Sequence, residues 1–214
     1  MSRATISTYV LLLLSIAAPQ APVARQPGDL FAGLFERGRV KQQSMKSIRA
    51  TFTETTTSSL LVKPIVARGT IIAAPPARVL MTYIAPEPKV LSIDVGTLTV
   101  LWPRRAEQEH IDIRETEKRI DQYFTHASVN DLRKLFDITA QEDATIRRAY
   151  RIEMTPKRKQ IKQGLEQLAL WIDRDSDMLV QLRMAFPGGD QKTIALEDVT
   201  LNVPIASDTF QVKP

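Results

Sequence analysis

From residue 48 onward the apolar positions of the chain alternate with polar ones, the period-2 signature of strands with one buried face. Residues 48–57 open the pattern with Ile48, Ala50 and Phe52 set among threonines, and residues 65–72, 77–84, 89–93 and 97–102 continue it. Pro64, Pro75, Pro76, Pro86, Pro88, Gly96 and Pro103 separate these segments, so tight connections join neighbouring strands into an antiparallel meander. Strands are predicted again over 149–154, 167–172, 178–186, 191–201 and 209–212. Two stretches break the alternation. Residues 29–47 carry Leu30, Phe31, Leu34, Phe35, Val40 and Met45, which suits one amphipathic helix or two short ones. Residues 114–143 carry Ile120, Tyr123, Phe124, Val129, Leu132, Leu135 and Phe136 at helical spacing, which predicts one or two helices inserted between two sheet halves. The predicted fold class is therefore mainly β with α: a strongly curved antiparallel sheet whose apolar face is covered by helices.

The first residues stand outside that pattern. Arg3, the apolar run from Tyr9 to Ala18 and the Pro-broken stretch up to Arg25 have the order of a secretory signal peptide. The expected division is a leader over 1–24 and a single domain over 25–214. The apolar run is shorter than the ~20 residues that a membrane-crossing helix needs. Cysteine is absent, so no disulfide staples the fold and no thiol is available for lipid attachment.

Charge adds little by itself. The formal net charge is +5, which favours anionic partners without choosing among them. The densest basic run is Arg147, Arg148, Arg151, Lys157, Arg158, Lys159 and Lys162, and only Tyr150 interleaves it, so no stacking platform for nucleic acid is present. A solvated strand-and-turn edge accounts for that run.

Catalytic signatures are missing: no Gly-rich phosphate loop, no G-x-S-x-G elbow and no H-E-x-x-H pair occurs. His110 and His126 are the two histidines and neither has a cluster of further ligands, so neither a metal site nor a cofactor is expected. Asp173, Asp175 and Asp177 start like a calcium loop, yet Met178 and Met184 occupy the places where that loop needs Gly and Glu. A hairpin turn explains these residues better.

The order and spacing of the strands resemble the LolA family of periplasmic carriers, which take lipoproteins from the inner to the outer membrane of Gram-negative bacteria. The resemblance rests on residues 48–54, 69–76, 81–86 and 94–98, with Pro103, Glu107 and Gln108, then on 154–156, 168–173, 186–189, 196–202 and 208–210. It implies an incomplete, half-open β-barrel lidded by helices, a periplasmic location, and acyl chains of lipoproteins or a related lipid as cargo. It further implies an inner-membrane transporter and an outer-membrane acceptor as partners, a monomer, and no enzymatic activity. Two departures stand out. Pro75 occupies a position where the family usually has a basic residue, and Val79, Leu80, Met81 and Thr99 replace aromatic residues common in the family. Alternation places Val79, Met81 and Tyr83 on one face of a strand and Leu98, Val100 and Trp102 on one face of another. With the resemblance, these become the expected groove, and Tyr123, Phe124, Leu132, Leu135 and Phe136 the expected lid. A second function class fits the same sequence: a periplasmic structural or sensory protein of this fold whose interior is simply filled and carries no lipid. A cavity large enough for an acyl chain separates the two.

Overall fold

The computed structural model describes residues 29–120, 127–146 and 148–212. Helix α1 spans Leu30–Gln43 and begins where Asp29 caps it, the carboxylate accepting a hydrogen bond from the Ala32 amide at 3.1 Å. That amide, together with Arg133, holds the Asp29 pKa below its ordinary value. Six strands then follow as a meander: β1 Ile48–Thr57, β2 Ile65–Ala74, β3 Arg78–Ala85, β4 Lys89–Asp94, β5 Thr97–Trp102 and β6 Glu107–Asp112. Two short helices, α2 Arg114–Ile120 and α3 Val129–Leu135, come next. A second meander closes the chain with β7 Phe136–Glu142, β8 Ala149–Pro156, the one-turn helix α4 Lys159–Lys162, β9 Gln167–Asp173, β10 Leu179–Ala185 and β11 Gln191–Leu201.

The two meanders are zipped together by their first and last strands. β1 pairs antiparallel with β11, from Ile48 opposite Leu201 to Thr57 opposite Gln191, and this joins everything into one sheet of 11 strands. The order runs from β6 to β7 as the two edges, so the barrel stays open. Alternation then decides what lies inside. Ile48, Ala50 and Phe52 of β1, Ile71 and Ala73 of β2, Leu182 and Met184 of β10, and Ile194 and Leu196 of β11 all point to one face and are buried in a single core with Phe31 and Leu34 of α1. The outer face carries a much smaller cluster of Ala149, Ala169 and Trp171.

Gly69 shows how tightly the inner face is built. A Cβ on this residue would lie 2.0 Å from the Thr82 carbonyl oxygen and 2.9 Å from the Phe52 ring, so only glycine lets β2 and β3 come together here. The space released is taken by aromatic rings: Phe52 and Tyr83 meet edge to face with centroids 4.9 Å apart.

The loop at Asp143 is organised by a buried carboxylate. It accepts hydrogen bonds from the Thr145 amide at 2.7 Å and the Thr145 hydroxyl at 2.6 Å. Burial pushes its pKa up, but these donors and the Ile146 amide outweigh it and hold the pKa at about 2. The turn from Asp173 to Asp177 is the hairpin turn its composition predicts. Asp173 accepts from the Ser176 amide and hydroxyl, both at 2.7 Å, and Asp177 takes the left-handed conformation with φ 54.

Three readings of the sequence need correction. Residues 136–142 form the edge strand β7 rather than the end of an inserted helix, and β6 lies at the other edge where no strand was expected. Residues 209–210 form a turn rather than a strand. Phe210 is buried there, with the Arg78 guanidinium 5.0 Å from its ring centroid and its carbonyl accepting from the Ser92 hydroxyl.

Candidate functional site

Between α1 and the inner face of the second meander lies a cavity of about 200 Å³. Its wall on the sheet side is made by Ile152 and Met154 of β8, Leu168, Leu170 and Ile172 of β9, Leu179 of β10 and Leu196 of β11. These are inward positions of their strands, two residues apart, so each strand contributes aliphatic groups to the same surface. The roof is Phe31, Leu34 and Phe35 of α1 with Leu132 of α3. Polar groups appear only at the rim, as Arg39, Lys41, Gln42 and Asp177. Nothing in this lining can act as nucleophile, base or metal ligand at the apolar floor; the surface can only exclude water and make dispersion contacts.

The roof is tied down by polar contacts at the surface. Arg37 binds Asp177 at 2.8 Å, and Arg133 of α3 binds Asp29 at the start of α1. The Lys41 ammonium donates to the Ser176 carbonyl. Exposed pairs of this kind are worth about 0–1 kcal/mol each, so the buried Phe31 and Leu34 side chains contribute more to holding α1 than these contacts do.

The expected groove residues lie elsewhere. Val79, Met81, Tyr83, Leu98 and Val100 are buried at 3%, 1%, 5%, 1% and 8% exposure, in the packed core of the first meander. Trp102 is partly buried and packs against that core. None of the six borders the cavity. Of the expected lid residues, Leu132 lines the cavity, while Leu135 and Phe136 are buried in the core and Phe136 begins β7. Tyr123 and Phe124 lie outside the described residues. The cavity residues of β8 and β9 sat in strands the alternation had found, on the apolar face. What the sequence did not show was that this half of the face, rather than the half at β3 and β5, is left unfilled.

One polar cluster interrupts the inner face. Glu54 of β1 accepts from the Lys192 ammonium of β11 at 2.9 Å and from the Tyr83 hydroxyl of β3, also at 2.9 Å. Burial first, then the Glu54 charge and hydrogen bond, raise the Tyr83 pKa well above that of an ordinary phenol, so Tyr83 remains a donor. Lys89 places its ammonium 4.4 Å from the Tyr83 ring centroid, and burial lowers its pKa. His110 is exposed on β6, 3.1 Å from the Thr99 hydroxyl. Among the described residues no group of three or more His, Cys, Asp or Glu side chains is placed to hold a metal ion.

An unclosed antiparallel sheet with an apolar cavity under a helix offers a concave, largely aliphatic surface of the kind small-molecule sites use. The sequence places the chain more narrowly: residues 43–213 match the family described as outer membrane lipoprotein carrier protein LolA, and the chain belongs to that family. Solved structures agree on the fold. The lipoprotein LppX of Mycobacterium tuberculosis is similar at a TM-score of 0.54 and 14% identity, over 85% of this chain and 100% of that one. An uncharacterized conserved protein from Thermus thermophilus reaches 0.53 at 10% identity, over 85% and 93%. No curated protein matches the chain in sequence.

Proposed function

We propose that the protein binds the acyl chain of a lipoprotein, or of a related lipid, beneath α1 and carries it through the periplasm from the inner to the outer membrane. The observation that carries this reading is the cavity itself: an aliphatic floor from five strands, β1 through Ile48 and β8 to β11, under a helix fastened by surface polar contacts. Each methylene moved from water into such a surface contributes about 0.8 kcal/mol, so a short length of chain suffices for tight binding. The volume of about 200 Å³ is below the ~300–1,000 Å³ usual for ligand pockets, so a full acyl chain requires α1 to lift and the cavity to widen. Its partners are an inner-membrane transporter that loads it and an outer-membrane acceptor that unloads it, and it works as a monomer, without a cofactor and outside the cytoplasm.

The filled inner face around Met81 favours a second reading, a structural or sensory protein of the same fold with no cargo. Leu170→Trp separates the two. Leu170 is half-buried and lines the cavity, so an indole there occupies the space the acyl chain needs without crowding the core. In a carrier, a fluorescent fatty-acyl probe binds the wild type saturably and the variant at least tenfold more weakly, a loss of about 1.4 kcal/mol. The thermal midpoint of the variant stays within a few degrees. A filled protein without cargo takes up the probe in neither form.

A further inference from the structure

Residues 55–86 contain no Asp or Glu, yet they include Lys63, Arg68 and Arg78. The first part of this stretch is the β1–β2 connection, where Leu60 is 85% exposed and Val62 is 106% exposed. Ile65 and Val66 at the start of β2 and Ile84 near the end of β3 are exposed beside it. Five of the seven large hydrophobic side chains exposed among the described residues thus gather at one end of the sheet, which is not the single-residue scatter of an ordinary surface.

Strand register shows what else shares that end. Thr57 lies opposite Gln191, Gln191 opposite Ala185, Ala185 opposite Gln167, and Leu168 opposite Met154, so the β8–β9 connection emerges on the same side as the β1–β2 connection. It presents Arg158, Lys159 and Lys162, all exposed. Of the acidic residues at the strand ends here, Glu87 and Glu107 are bound to Arg105 and Asp137 to Lys157, which leaves Glu166 and Asp190. Lys63, Arg68, Arg158, Lys159 and Lys162 have no ion-pair partner among the described residues.

We propose that this end of the sheet is a docking site for an anionic lipid bilayer, with Leu60 and Val62 entering the headgroup region and the surrounding cations facing the phosphates. An apolar loop bordered by Lys and Arg fits such an interface twice over: the apolar side chains leave water, and the basic groups stay at the level of the negative charge. The docking end and the cavity rim lie at opposite ends. The cavity floor reaches the docking end through Met154 and Leu168, but the rim residue Asp177, with Ile48 at the start of β1 and Leu179 at the start of β10, is at the other end, so a docked molecule keeps the rim towards the aqueous side.

The absence of cysteine makes the test direct, because a single Cys can be placed and labelled without competition. Val62→Cys and, as control, Val95→Cys carry an environment-sensitive fluorophore on the full chain; Val95 is 87% exposed in the β4–β5 turn, at the other end of the sheet. Phosphatidylglycerol vesicles should shift the emission at position 62 to the blue and raise it at least about twofold, with little change at position 95. Phosphatidylcholine vesicles should do neither, high salt should reverse the response, and Leu60→Glu in the Val62→Cys background should remove it. An unchanged signal at position 62 overturns the proposal, as do equal responses at the two positions, equal responses to the two lipids, or a response that survives Leu60→Glu.

Discussion

Met81→Glu is expected to abolish cooperative folding at 25 °C, or to lower the unfolding free energy by at least about 4 kcal/mol. Met81 is 1% exposed, and its β3 neighbours across the sheet are Ile71 of β2 and Leu91 of β4, both buried. A carboxylate there would be taken out of water beside the Tyr83 hydroxyl, which lies 3.9 Å from the Met81 sulfur but already donates to Glu54. It would compete with a second buried carboxylate for one donor, and remain charged at great cost or take up a proton. The whole stability of such a domain is about 5–15 kcal/mol, so one such group consumes much of it. Thr82→Glu, on the opposite face of the same strand, should change stability by less than about 0.5 kcal/mol. Denaturant unfolding of the three proteins measures this. A Met81→Glu variant as stable as the wild type would mean that water reaches the inner face of β3 and that the groove extends there.

The second large effect is expected at Lys192. With Lys192 exposed at 8% and Glu54 at 6%, Lys192→Met removes the cation from a buried carboxylate and leaves it the Tyr83 hydroxyl as its remaining close hydrogen-bond donor. Breaking a buried pair from one side costs about 3–5 kcal/mol, because the surviving charge stays desolvated. Adding Glu54→Gln should recover more than half of that loss, since the amide oxygen still accepts from Tyr83 while the charge is gone. A loss under about 1 kcal/mol for Lys192→Met, the range of exposed pairs, would show that the cluster is hydrated.

How much of this was legible in the sequence follows from where each element sits. β1 was predicted at 48–57 and found at Ile48–Thr57, because one of its faces is buried and its alternation is uninterrupted. The two strands misread or missed, β6 and β7, are the two edges of the sheet. Glu107–Asp112 is polar except for Ile111, and Phe136–Glu142 offers Ile138 and Ala140 after a helical run, so neither displays a period that survives its exposure. The hairpin turn at Asp173 was legible because its Asp and Ser side chains bond their own backbone, a local matter. The position of the cavity was not. Alternation reveals which face of Leu168, Leu170 and Ile172 is inward, as it does for Val79 and Met81. Which part of that face is filled depends on where α1 comes to rest, and that is set by contacts remote in sequence, the burial of Phe31 and Leu34 against the sheet together with Arg37 bound to Asp177, 140 residues apart.

The central claim is that the space beneath α1 holds an acyl chain. Native mass spectrometry of wild type and Leu170→Trp, both exported to the periplasm and purified without detergent, tests it most directly. The expected result is a wild-type population heavier than the mature chain by the mass of an acylated molecule, lost on mild collisional activation, and a Leu170→Trp protein that is folded and bare. Bare wild-type protein, or a wild type and a Leu170→Trp variant that carry the same lipid to the same extent, would contradict the assignment of the cavity as the binding site.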